Sequence, residues 1–213
     1  MENPILILGA TSGIGRLAME EALKRGHRVR AFARSAVKLE PAENLEIVAG
    51  DALSDDDLEA AVKGAHAVVY ALGVKERPAM LWENETLFSE STKLLLKAME
   101  SAGVKRLMTV TGFGAGRSRD AMSSLEKLGH GAILGRVYAD KTRQEALIME
   151  SSADWTIVRP VILTNRPASG HAKILIDPKN WRNGLVSRGD VANYLIDAVE
   201  DDLNVCEDVV ITR

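Results

Sequence analysis

The chain has 213 residues, 46% hydrophobic and 27% charged, which suits one compact α/β domain and leaves no room for a second domain of full size. A net charge of −3 excludes a general electrostatic attraction to nucleic acid or an anionic membrane, and no apolar run reaches membrane-spanning length. A lone cysteine, Cys206, excludes an intrachain disulfide and a cysteine metal site; with no signal peptide ahead of the first strand, a cytoplasmic protein is expected.

Ile5 to Leu8 is an apolar run of the kind shown by a strand buried on both faces of a parallel sheet. It stops at Gly9, and Gly13 and Gly15 follow before Ile14, Leu17, Ala18 and Ala22 repeat with helical spacing. Strand, glycine turn and helix, in this order, are the context in which glycines bind a dinucleotide. Gly9 permits the tight turn, Gly13 lets a diphosphate approach the backbone, and Gly15 lets helix and strand pack closely. The helix start then offers free N–H groups to the phosphates. Gly26 ends this helix, and Val29 to Ala33 forms the second strand. Arg34 follows where an acidic residue would bind the ribose hydroxyls of NAD(H). With Ser35 and Lys38 it can grip a 2′-phosphate instead, so NADP(H) is expected over NAD(H).

Leu45 to Ala49 reads as the third strand, ending in Gly50-Asp51-Ala52, where Asp51 either meets the adenine edge or caps the next turn. Ser54, with Asp57 three residues on, signals a helix to about Lys63. Ala67 to Leu72 is a fourth buried strand, and Gly73 lies where backbone passes under a cofactor. A helix is expected from about Leu87 to Ala102, stopped by Gly103, and a fifth strand from Arg106 to Thr111. Gly112 to Arg136 reads as an irregular, glycine-rich stretch with a short helix at Met122 to Leu128. The next helix, about Val137 to Ser151, carries Tyr138, Lys141 and Glu145 on one face. Thr156 to Val158 is a strand closed by Arg159-Pro160, and Leu163 to Val186 is a second irregular stretch. Asp190 caps the last helix, and Val209 to Thr212 closes the sheet. His27, His66, His130 and His171 show no ligand spacing and read as surface or loop residues, so no metal is expected.

This alternation predicts a doubly wound parallel sheet in a single domain, with strand order 3-2-1-4-5 and the cofactor crossing between strands one and four. Two loops, about 112–136 and 163–186, leave carboxyl ends of strands and are the material available for a substrate.

The segments GATSGIG at 9–15, AFARS at 31–35, GDALSD at 50–55 and AGVKRLMTVTG at 102–112 fall in a telling order. With ADKTRQEALIMESSADWTIVRP at 139–160 and LVSRGDVANYLID at 185–197, the chain resembles, over nearly its whole length, the atypical branch of the short-chain dehydrogenase/reductase family. Similar members include NADPH-dependent flavin or biliverdin reductases, nitrogen-metabolite sensors and sugar-epimerase-like proteins. The resemblance implies a Rossmann fold with cofactor contacts at Gly9, Thr11, Ser12, Gly13, Ile14, Gly15, Arg34, Ser35, Asp51 and Ala52. It extends them to Leu72, Gly73, Thr111, Lys141 and the segment Pro160, Val161, Ile162. The spacing Gly9-x-x-x-Gly13-x-Gly15 departs from that branch and follows the ordinary catalytic members.

Ordinary members pair a serine after strand five with a tyrosine four residues before a lysine. Thr111 stands in the serine's place and Lys141 in the lysine's, but Tyr138 precedes Lys141 by three residues and Val137 by four. The phenol is thereby turned about 100° around the helix from the usual partner position. Thr111, Tyr138 and Lys141 are the catalytic candidates, although the displaced Tyr138 reads rather as a pocket or surface tyrosine. The expected function is reduction of a small carbonyl, quinone or flavin-like molecule by NADP(H). Its rival is a non-catalytic NADP(H) redox sensor acting through a protein partner. A sugar epimerase is not expected, because the C-terminal substrate region of such enzymes is missing. The partner expected is a small-molecule substrate, with a homodimer as the compatible assembly.

Overall fold

The computed structural model describes residues 3–74 and 85–213, with the side chains of 129–134 outside the described set. β1 (Ile5–Leu8) is buried along its length: Ile5 and Ile7 enter one core, Leu6 and Leu8 the other. Two-sided burial is why the strand is uniformly apolar rather than alternating. β1 pairs in parallel with β2 (Val29–Ala33) on one side and β4 (Ala67–Tyr70) on the other. Outward from them lie β3 (Leu45–Ala49), then β5 (Arg106–Val110), β6 (Asp154–Pro160) and β10 (Glu207–Thr212). The sheet order is β3-β2-β1-β4-β5-β6-β10-β8, all parallel except the edge strand β8 (Lys173–Leu175). The expected doubly wound order holds and continues past the fifth strand.

α1 (Gly13–Lys24) and α5 (Arg188–Glu200) share one core; α2 (Asp55–Val62), α3 (Leu87–Ala102) and α4 (Ser124–Met149) share the other. α3 falls on the expected residues and ends at Gly103, whose φ of +70° is the left-handed stop that glycine adopts without penalty.

Three expectations about the elements need correction. The stretch 112–136 is not a long loop: after a 3-10 turn at Gly116–Ala121, α4 runs unbroken through Gly129, Gly131 and Gly135. Glycine disfavours a helix interior by about 1 kcal/mol each, and that penalty is overridden here. A capping box starts the helix: Ser123 Oγ accepts from the Glu126 amide while Glu126 accepts from the Ser123 amide. The stretch 163–186 is also partly ordered. β7 (Ile162–Thr164) pairs in parallel with β9 (Leu185–Ser187), and β8 joins the main sheet. Lastly, the cap of α5 is Ser187, whose Oγ accepts from the Asp190 amide. Asp190 lies inside the first turn, where its carboxylate accepts from Ser169, Gly170 and Ser187.

His27 is buried rather than exposed, with Nε2 2.5 Å from Glu200, whereas His66 and His171 are exposed as expected and His130 lies outside the described side chains. Arg106, at the start of β5, is buried too. Its guanidinium donates to the carbonyls of Asp154 (2.9 Å), Ala198 (2.8 Å) and Leu203 (2.7 Å) and to Thr156 Oγ1 (2.9 Å). It thus ties the end of α5 and the turn after it to the sheet. Arg106→Ala removes these four hydrogen bonds and leaves a cavity where the buried side chain lay, and should cost about 2–4 kcal/mol of stability. Urea denaturation checks this, and a change below about 0.5 kcal/mol contradicts it.

Candidate functional site

At the carboxyl ends of the parallel strands lies a cleft of about 1160 Å³. Its floor begins with the glycine turn. Gly9 has φ +87°, and a Cβ there would lie 2.6 Å from the Ala71 carbonyl oxygen; one on Gly15 would lie 2.4 Å from that of Gly9. Only glycine allows strand and helix this close. Gly13, at φ +58°, has open space above it. Ser12 caps α1 with extended backbone and no side-chain bond, so the first-turn amides have no partner within the helix. This cradle fits the diphosphate of a dinucleotide.

Arg34, Ser35, Asp51, Ala52, Leu72 and Gly73 line the cleft on one side of the turn. Thr111, Tyr138, Lys141, Pro160, Val161 and Ile162 line it on the other, and Gly9, Thr11, Ser12, Gly13 and Ile14 lie between. Gly15 acts beneath the cleft as a packing residue. Lys38 is not part of its lining: it ends a 3-10 turn, Ala36–Lys38, and is exposed. Of the two cations expected at the 2′-phosphate, Arg34 alone lines the cleft. Asp51 makes the capping contact, with Oδ1 accepting from the Leu53 amide at 3.1 Å.

α4 brings Tyr138, Lys141 and Glu145 to one face, as their spacing requires. Lys141 Nζ donates to the Thr111 carbonyl at 2.5 Å and lies 4.9 Å from the Phe88 ring centre. Burial drives the ammonium down to about 8, against an opposing pull from Glu145. The Tyr138 hydroxyl rests on Gly112, where an added Cβ would be 2.6 Å away. Burial, reinforced by Glu145, raises the Tyr138 pKa, the reverse of a lysine-activated phenol. The Thr111 hydroxyl is also committed: it donates to Glu145 Oε1 at 2.7 Å, so its proton is not offered to a substrate carbonyl.

Glu145 leads into a cluster that spacing in the sequence did not reveal. Arg159, fully buried, donates to Glu145 through Nε (3.0 Å) and Nη2 (2.7 Å) and to buried Asp208 through Nη1. Arg117 grips Asp208 from outside, and both guanidinium carbons lie 5.1 Å from the Trp181 ring centre. Gly116, at φ +50°, passes so close that a Cβ would sit 1.9 Å from Glu145 Oε2. The adjacent pair Arg159-Pro160 at the mouth of the cleft was the one available signal.

A family model described as NAD(P)H-binding matches residues 9–202, and the chain belongs to that NAD(P)H-binding family. It is 28% identical over 179 residues to the chloroplastic protein TIC 62 of Arabidopsis thaliana, covering 75% of this chain and 27% of that protein. It is 26% identical to an uncharacterized sugar epimerase, YhfK, of Bacillus subtilis, covering 92% of this chain and 88% of the relative. The chain therefore spans a minor part of the TIC 62 length, 42% for the Oryza sativa protein, and most of YhfK. Among solved structures, ChuY, an anaerobillin reductase of Escherichia coli O157:H7, superposes with a TM-score of 0.80 at 25% identity, covering 99% of this chain and 97% of that one. A Veillonella parvula short-chain dehydrogenase/reductase in complex with NADP shares the fold, with a TM-score of 0.84 at 18% identity over 100% and 95% of the two chains. The NAD(P)H-binding family and the Rossmann-like fold read from the sequence thus hold, and the cofactor is NAD(P)H. Among the described residues, no helix is long and apolar enough to cross a membrane.

The lowered pKa of Lys141 has a consequence for stability. The unfolded lysine keeps its proton to 10.5 while the folded one releases it near 8, so between those values the unfolded chain holds more protons. Stability then rises with pH across the window. Relative to Lys141→Met, the wild type should gain stability as pH climbs from about 8 toward 10.5. Parallel denaturation curves read this slope; a flat or falling difference contradicts the lowered pKa of Lys141.

Proposed function

We propose that the protein is an NADPH-dependent reductase of a small planar acceptor, of the quinone or flavin-like kind ahead of a simple carbonyl. The cofactor, when bound, supplies the hydride. The carrying observation is the far end of the cleft, where Lys141 and Tyr138 stand at the carboxyl ends of β5 and β6 but the phenol, the usual proton donor, has a raised pKa rather than a lowered one. Lys141 holds the Thr111 backbone and presents a cation for the nicotinamide ribose. Phe113, Met122, Leu163 and Val161 give this end an apolar wall suited to a planar ring. An acceptor that becomes a stabilised anion after hydride transfer takes its proton from water, so it needs no phenolic donor. Exposed, unpaired Cys206 suits the reducing cytoplasm. The second reading, a redox sensor working through a protein partner, rests on the same raised phenol.

Arg34 supports NADP(H) over NAD(H). A charge-assisted contact to a phosphate contributes roughly 1.5–3 kcal/mol, so tenfold or greater discrimination is expected. Calorimetric titration with both cofactors reads it, and equal affinities, or a preference unchanged in Arg34→Ala, contradict it.

Turnover separates enzyme from sensor. Loss of NADPH absorbance is followed with flavins, quinones, aldehydes and ketones. The reductase reading expects oxidation with a flavin or quinone and little change on Tyr138→Phe. A loss of about hundredfold or more on that change would mark the phenol as a proton donor. Silence across the panel, with partner binding that differs between NADP⁺ and NADPH, favours the sensor.

A further inference from the structure

The glycine turn offers a diphosphate only backbone amides and the partial charge of a helix start, roughly half a positive charge against two negative ones. Thr11 and Ser12 in the turn are neutral, and Arg16, one turn on, is exposed and bound to Glu20 at 2.8 Å. The charge must come from elsewhere in the cleft. Among the described residues three cations line it: Arg34, Lys141 and Arg188. Arg34 lies beyond β2, at the ribose side, and Lys141 is held on the Thr111 carbonyl.

Arg188 is the first residue of α5, and the position of α5 follows from its contacts. Arg25, just past the end of α1, donates to Asp197 (2.7 Å) and Glu200 (2.6 Å) in the last turn of α5. The two helices pack in one core with their carboxyl ends together, so they run the same way. They have 12 and 13 residues, hence lengths of roughly 18 and 20 Å, which sets the start of α5 level with the glycine turn. Arg188 accordingly lines the same cleft as Ser12 and Gly13.

The guanidinium is also held in place. Its Nη1 donates to Asn165 Oδ1 at 2.7 Å, and Asn165 follows β7 where Thr164 pairs with Ser187. The acid two residues on, Asp190, is occupied by Ser169, Gly170 and Ser187. No carboxylate among the described residues pairs with Arg188 within ion-pair distance. A guanidinium has five N–H donors, and one is used by Asn165.

We infer that Arg188 binds the cofactor's diphosphate from the α5 side, opposite the backbone amides of the glycine turn, with Asn165 as its positioning residue. The inference rests on the cofactor reading of the cleft. It makes the segment 162–188, which also walls the substrate end, part of cofactor recognition. The competing role is a grip on an anionic group of the substrate.

Binding alone distinguishes these roles. Protein free of cofactor is titrated calorimetrically with NADPH and with 2′-AMP, which carries the 2′-phosphate but no diphosphate. Arg188→Ala should weaken NADPH binding about ten- to a hundredfold and leave 2′-AMP unchanged. Arg188→Lys should recover part of the loss, and Asn165→Ala should show a smaller one. The salt dependence of NADPH binding should be shallower in Arg188→Ala than in the wild type. NADPH affinity within twofold of wild type, with or without a raised KM for the acceptor, overturns the inference and leaves the cofactor reading standing. An equal loss for both ligands also overturns it, since that reports damage to the cleft as a whole. A wild type that binds no NADPH overturns the cofactor reading itself.

Discussion

Arg159 carries a full charge with no exposure to solvent, and Glu145 and Asp208 close around it from α4 and β10. A guanidinium in such a place is stable only while both carboxylates remain, because removing either leaves an uncompensated charge in a low dielectric. The pairing therefore locks three elements distant in sequence into one arrangement. Through Glu145 it fixes the Thr111 hydroxyl at the end of β5, and Lys141, one turn earlier on α4, reaches the Thr111 carbonyl. Through Trp181, stacked against Arg159 and Arg117, it anchors the segment that walls the substrate end. Two arginines and two acids balance in charge, so the cluster fixes geometry without adding a net field.

That geometry has a chemical cost. Thr111 stands in the place of the family's serine and Tyr138 one residue from that of its tyrosine, yet one hydroxyl is bound to Glu145 and the other is held in an environment that tightens its proton. Glu145, which orders the site, also adds to the effect of burial in raising the phenol's pKa. This is the ground for the proposed preference for acceptors that need little acid assistance after hydride transfer. Orientation by Lys141 and the apolar wall then matters more than proton delivery.

Local patterns in the sequence revealed the elements that depend on local patterns. The buried β1, the glycine turn and α1 were legible because a continuous apolar run, three glycines and a 3.6-residue repeat each have one structural meaning. α3 was legible because its apolar stripe ends at a glycine. α4 was not, since three glycines in its first half look like a loop, and tertiary packing with a capping box outweighed their propensity. The cap at Ser187 was within reach, because a serine with an acid three residues on is the same signal read correctly at Ser54. Glu145, Arg159 and Asp208 were beyond it: partners 14 and 49 residues apart are joined only by the fold. Arg188 escaped notice for the same reason, since its place in the cleft follows from the parallel packing of α1 and α5.

The account stands on one placement, the nicotinamide end of NADP(H) lying against Lys141 and Tyr138 with the diphosphate at Gly13. A crystal structure of the NADP⁺ complex tests it most directly. The nicotinamide ribose should lie within about 3.2 Å of Lys141 Nζ, and the 2′-phosphate beside Arg34. A nicotinamide turned away from α4, or a diphosphate bound away from the glycine turn, would contradict it.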